Sequence, residues 1–111
     1  MIIQRAYSFC DAMELIGRVY KRTGRASAIC AGPRVLGRLG ILKDRSAVCY
    51  PGMEAEINCN DAHPEKHVVL CRDVVTGRGP GSALHFGFAL LEQLRGKDVA
   101  SDVKAAMFFE P

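Results

Sequence analysis

The sequence predicts an α/β fold, and three observations carry that reading. Residues 11–21 and 82–95 place apolar side chains at three- and four-residue spacing, the period of an amphipathic helix. Short runs such as Ala26-Ser27-Ala28-Ile29-Cys30, Ser46 to Cys49, His67 to Cys71 and Val74 to Thr76 are apolar or β-branched and bounded by turn residues. These two kinds of segment alternate along the chain, the order expected of helices packed on a sheet.

Asp11 to Lys21 is the first expected helix, with Met13, Ile16, Val19 and Tyr20 on its apolar face and Asp11 as its candidate cap. Thr23-Gly24 ends it, and Lys21, Arg22 and Arg25 cluster where cations suit the helix dipole. Ala26 to Cys30 follows as a strand expected to be buried on both faces. Gly32-Pro33 puts proline in a first helical turn, Arg34 to Leu39 continues as a short helix, and Gly40 closes it. Ser46 to Cys49 is a second strand, and Pro51-Gly52 turns out of it. Residues 53–65 read as irregular, with one short helix around Glu54. His67 to Cys71 and Val74 to Thr76 form a hairpin across Arg72-Asp73, a pair unlike the Asp-Gly favoured in such turns, so a strained or longer turn is expected. Gly77-Arg78-Gly79-Pro80-Gly81 is a sharp loop. Ser82 to Arg95 is the strongest helix, its Leu84, Phe88, Leu91 and Leu94 read as core, and Gly96 stops it. A last helix spans about Asp98 to Ala105.

The 111 residues are 49% hydrophobic and 24% charged, an ordinary globular composition that excludes disorder. That length sets a single domain with one core. No run approaches the ~20 apolar residues of a membrane span, so no membrane partner is expected. Met1 to Tyr7 contains Gln4 and Arg5 and lacks the apolar stretch of a secretory signal. The net charge of +3 is spread along the chain, too weak to indicate nucleic acid. Arg18, Lys21, Arg22 and Arg25 beside Tyr20 read as a solvated helix face. Five cysteines, with no CxxC pair, point to reduced thiols and a cytoplasmic location.

The chemistry concentrates at Ala28-Ile29-Cys30-Ala31-Gly32-Pro33. A strand, a cysteine, small residues and a helix start are the ingredients of a nucleophile elbow. Small neighbours allow a sharp bend, which projects the side chain into the crevice at a strand's carboxyl end. The following helix adds partial positive charge near the sulfur and favours the thiolate. The Ala31 backbone N–H falls where an oxyanion donor is needed. From the pattern alone, a buried structural cysteine at a strand end is the alternative.

Other clusters carry less. Cys59, His63, His67 and Cys71 are spaced by four, but Pro64 breaks any helix that would align them, so no metal site is expected. Ser82-x-x-His85 opens the long helix in place of a capping box and reads as a slightly weak cap. Cys49 is a candidate resolving thiol for Cys30, with a buried core cysteine as the plainer reading.

Ala28-Ile29-Cys30-Ala31-Gly32-Pro33 together with Thr76-Gly77-Arg78-Gly79-Pro80-Gly81-Ser82 resembles the DJ-1/PfpI (ThiJ/PfpI) family, in its DJ-1-like branch. Leu39-Gly40-Ile41-Leu42-Lys43, Cys49-Tyr50-Pro51-Gly52-Met53-Glu54 and Phe86 to Leu94 agree with it, so the resemblance covers about residues 13–107. It implies a flavodoxin-like (class I glutamine amidotransferase-like) α/β sandwich, usually a homodimer. The implied activity is cofactor-free glyoxalase or deglycase chemistry on small reactive carbonyls, with redox-sensing and chaperone roles also attributed to the family. Cys30 matches the nucleophile, Tyr50 falls beside it, and Arg78 and Gly79 lie in the loop that closes the substrate pocket, where Arg78 offers an anion site.

The chain departs from the family pattern in its first half. That half supplies several strands, a Glu that hydrogen-bonds the thiol and a Gly-Gly turn, none of which is present here. Residues 1–111 therefore read as one incomplete domain, a sandwich lacking its N-terminal strands. A gene fragment, a mis-started reading frame, or a half needing a partner chain over an exposed sheet edge is expected. The second functional reading is a non-catalytic redox-sensing or chaperone-like remnant whose Cys30 is oxidisable.

Overall fold

Val74, Val75 and Thr76 form the centre of the molecule, as β-branched residues do in a strand covered on both faces. The computed structural model describes residues 9–110, so the expectation for Met1 to Tyr7 lies outside the described residues. The elements run α1 (Phe9–Thr23), β1 (Ala26–Ile29), α2 (Pro33–Arg38), β2 (Ser46–Ala47), β3 (Asp61–Ala62), β4 (Val68–Cys71), β5 (Val74–Gly77), α3 (Ala83–Arg95) and α4 (Lys97–Ala106). Single 3-10 turns occur at Glu54–Glu56 and Pro80–Ser82.

The larger sheet has the order β1-β5-β4. β1 lies parallel to β5, with Ala26 beside Val74 and Ile29 beside Gly77. β4 is antiparallel to β5, with Cys71 opposite Val74. β2 and β3 form a separate parallel pair. One layer of the core is Leu36, Ile41, Leu42, Ala47, Cys49 and Ile57 against Val74, with Ile16 and Tyr20 of α1 packed on it. Val75 points to the other face, where α3 packs on β4 and β5 and carries α4. Phe88 and Ala100 are the buried residues of these two helices. The sandwich is thus a partial flavodoxin-like fold, with the mixed sheet between helical layers.

Several local expectations are corrected. β1 is not buried on both faces: Ser27 is exposed and its neighbours are half-buried. Among the described residues β1 pairs only with β5, so its other edge is open. β2 covers Ser46–Ala47 rather than running to Cys49, and β3 lies inside a stretch read as irregular. The β4–β5 turn, by contrast, is strained as expected, and it keeps two residues: Arg72 takes φ 57°, in the left-handed region. Asp11 lies within the first turn of α1, not before it. On α3, Phe88 is core, but Leu84 and Leu94 are 51% and 63% exposed. Leu94 and Leu90 face Leu15 and Val19 of α1 across an open apolar groove of about 560 Å³ beside β1. Among the described residues, no helix is long and apolar enough to cross a membrane.

Candidate active site

β1 ends at Cys30, whose φ of 64° is the left-handed conformation that residues with a Cβ avoid. Such a conformation costs about 1–3 kcal/mol and persists only where surrounding structure enforces it. Three backbone hydrogen bonds do so. The Cys30 N–H donates to Gly77 O at 3.0 Å, the Tyr50 N–H donates to Cys30 O at 2.9 Å, and the Gly32 N–H donates to Ile29 O at 3.0 Å. Gly32 leaves room for the bend: a Cβ there would sit 3.1 Å from both Ala28 Cβ and Ile29 O. Pro33 then starts α2 at its first position.

The Cys30 thiol is free and half-buried, and no described side chain hydrogen-bonds its sulfur. The Ala31 carbonyl is engaged by the Arg34 N–H at 3.2 Å and Arg34 Nε at 3.3 Å, whereas the Ala31 N–H makes no backbone hydrogen bond among the described residues. The bend therefore presents a thiol and an unused amide donor at adjacent residues.

Tyr50, Arg78 and Gly79 line one cleft of about 310 Å³, together with His67, Pro80 and Ser82. The Tyr50 ring lies against Gly79, where a Cβ would be 3.5 Å from it. The Arg78 N–H donates to His67 O at 3.0 Å, and its guanidinium donates to Pro64 O at 3.3 Å. Cys30 and Ala31 border this cleft through the Tyr50 and Gly77 hydrogen bonds but do not line it. Ala31 lines a second cleft, of about 470 Å³, with Arg34, Arg38, Glu56 and Asn58.

His67 and Ser82 line the first cleft although the sequence assigns them no part in it, and His85 packs on His67 from outside the cleft. Ser82 makes no capping bond at α3; its hydroxyl lies 2.7 Å from His67 Nδ1. His85 stacks on His67 with ring centroids 4.0 Å apart and planes 5° apart, and its own Nδ1 is buried without a partner. The available signal was the histidine in place of an acid at Ser82-x-x-His85; its partner, fifteen residues upstream of Ser82, is a tertiary neighbour.

Cys59, His63, His67 and Cys71 do not converge. His63 instead contacts Asp61 at 2.8 Å and Glu65 at 3.2 Å, and among the described residues no group of three such side chains is arranged to hold a metal ion. Cys49 is 1% exposed, and burial, reinforced by Glu54, pushes its thiol up to about 11. A thiol so rarely ionised is a poor resolving partner for Cys30.

An α/β sandwich with a cysteine held in left-handed backbone at a strand-to-helix bend defines a class of protein. The chain belongs to the DJ-1/PfpI family, whose model matches residues 6–93. It is 36% identical to Protein dj-1beta of Drosophila melanogaster over 81 residues, 72% of this chain and 43% of that protein. It is 33% identical to the Glutathione-independent glyoxalase DJR-1.2 of Caenorhabditis elegans over 85 residues, 77% of this chain and 46% of that one. The crystal structure of Drosophila melanogaster DJ-1beta superposes with a TM-score of 0.79 at 30% identity, covering 91% of this chain and 59% of that one. The chain thus spans less than half the length of these curated relatives.

Proposed function

We propose that this chain carries cysteine-dependent, cofactor-free chemistry on α-oxoaldehydes, of the glyoxalase or deglycase type, with Cys30 as the nucleophile. The observation that carries the reading is the enforced left-handed backbone at Cys30, next to an Ala31 N–H left without an acceptor among the described residues. Strain of this kind concentrates where function requires it. The relative named as a glutathione-independent glyoxalase supports the substrate class.

In this reading the Cys30 thiolate adds to the aldehyde carbon of methylglyoxal. The carbonyl π electrons move to oxygen, and the Ala31 N–H stabilises that oxyanion. The aldehyde hydrogen of the resulting hemithioacetal then leaves as a proton, and a proton is returned to the neighbouring carbon. The thioester so formed takes up one water, releasing lactate and the thiol. Tyr50, Arg78 and Gly79 bound the substrate pocket. Proton transfer requires a base, and no described carboxylate hydrogen-bonds the Cys30 sulfur. Such an absence typically costs ~10²–10⁴ in rate, so this chain alone is a slow catalyst. The open β1 edge and the groove beside it are the surface that a second copy or a partner chain covers, in a cytoplasmic setting. Residues 1–111 act in this view as one incomplete domain.

Methylglyoxal consumption by the chain and by Cys30→Ser tests the reading. Loss of consumption in the variant supports it. Equal rates overturn it in favour of a non-catalytic protein with an oxidisable cysteine, in which peroxide oxidises Cys30 ahead of Cys10.

A further inference from the structure

Of the His67–Ser82–Arg78 cluster only Arg78 has a place in the carbonyl chemistry as written, as one wall of the pocket; His67 and Ser82 have none, yet they are closely held. Ser82 is 1% exposed, and its hydroxyl meets His67 Nδ1 at 2.7 Å. His85 covers one face of the His67 ring at 4.0 Å. The ring is therefore held from two sides. Arg78 brings one guanidinium nitrogen to 3.4 Å from His67 Nδ1 and another to Pro64 O. Among the described residues Arg78 forms no ion pair; nearby Glu65 pairs with His63 instead. An unneutralised guanidinium, an imidazole and a hydroxyl thus meet at one concave site with the half-exposed Tyr50 across it. That donor set matches the needs of an oxyanion, for which arginine offers two parallel N–H bonds.

We propose that the cleft formed by Tyr50, His67, Arg78 and Ser82 binds a small carboxylate, held by Arg78 and strengthened when His67 is protonated. The proposal names the ligand class of the cleft beside Cys30 and rests on the α-oxoaldehyde reading only for the choice of a 2-hydroxy carboxylate, the product of that chemistry.

The linkage follows from the groups that face His67. Arg78 and His85 adjoin the ring directly. Beyond it a second cleft brings in Glu65, Lys66, Glu92 and Lys104, two acids and two bases that offset one another. Desolvation, His85 and Arg78 all hold His67 below the usual histidine range. A bound carboxylate offsets the Arg78 charge and draws the proton back. The protonated ring donates from Nδ1 to the Ser82 oxygen and turns the Ser82 hydroxyl hydrogen outward as a further donor. Affinity for the carboxylate therefore rises as pH falls through the range where His67 titrates.

The chain has three histidines, so their ring signals in an NMR pH titration report the site directly, with His63 as the internal control. The experiment uses Cys30→Ser, which removes turnover, with lactate, inorganic phosphate or chloride at matched ionic strength. Failure of the enzyme reading therefore leaves this result unchanged. The expected result is a rise in the His67 midpoint of about half a pH unit or more with lactate, with His63 unmoved. Arg78→Gln abolishes the rise and Arg78→Lys restores part of it, which separates lost charge from a disturbed loop. No rise with lactate, or a rise that survives in Arg78→Gln, overturns the proposal. A rise with phosphate alone overturns the assignment to carboxylates.

Discussion

The Val48 N–H donates to Thr76 Oγ1 at 3.0 Å, and both residues are 1% exposed. This bond fastens the segment leading to Tyr50 onto the central strand, and so sets where Tyr50 meets the Cys30 carbonyl. Thr76→Val keeps the shape but leaves the buried Val48 N–H unpaired, a loss of about 1–3 kcal/mol. Thr76→Ser retains the acceptor and loses less. Urea unfolding midpoints of the two variants check the order.

Gly37 and Gly87 are both helical, and alanine acts oppositely at the two positions. A Cβ on Gly37 would lie 2.1 Å from Ile57 O, a backbone atom that no rotamer change can move aside. Gly37→Ala therefore destabilises by about 1–3 kcal/mol or more, despite alanine's better helix propensity. At Gly87 nothing lies within 4 Å, and Gly87→Ala stabilises by about 1 kcal/mol. The difference in unfolding midpoint between the two variants is the measurement.

Cys30 reacts with iodoacetamide well before Cys49 at neutral pH. With its thiol pushed up to about 11, Cys49 is thiolate in only about one molecule in ten thousand at pH 7. Its labelling rate keeps rising with pH up to that value. Peptide mass spectrometry over a pH series checks both statements.

His67 makes stability depend on pH. Its folded pKa lies below its ordinary value of 6.5, with desolvation the first cause and His85 and Arg78 adding to it. The unfolded chain therefore binds the proton more readily than the folded one. The contribution of the neutral ring is fully present above about pH 6.5, falls as pH drops below that value, and is gone below the lowered folded pKa. His67→Asn flattens the unfolding midpoint over that window, whereas substituting His63 leaves the His67 component in place.

The proposed covering of the groove between α1 and α3 by a second chain predicts self-association. Leu15 and Leu94 are 62% and 63% exposed and lie with the open side of β1. Leu15→Lys combined with Leu94→Lys removes little buried area, so it changes stability only slightly while weakening self-association. Sedimentation velocity of the chain and the double variant over a concentration series measures it.

Much of the fold was legible locally. The three- and four-residue apolar spacing marks α1 and α3, and Thr23-Gly24, Gly40 and Gly96 stand close to the ends of helices. Helix periodicity and turn chemistry are encoded by neighbours in the chain, so they survive in the sequence. The bend at Cys30 was legible for the same reason, because Ala31, Gly32 and Pro33 are adjacent to it. Of the expectations that the structure overturns, those about burial and exposure are non-local. The burial of β1 depends on how many strands flank it, and the exposure of Leu94 depends on what lies across from it.

The sequence by itself determined that a strand delivers Cys30 to a tight turn before a helix, since residue size and proline's ring restrict the backbone there without help from afar. Tertiary structure alone decided that His67 finds Ser82 and stacks on His85, that Ala31 and Arg78 open onto different clefts, and that among the described residues one edge of β1 stays bare. Each of these depends on strand pairing across the sheet, where hydrogen bonds join residues far apart in the chain and no short pattern records the partner.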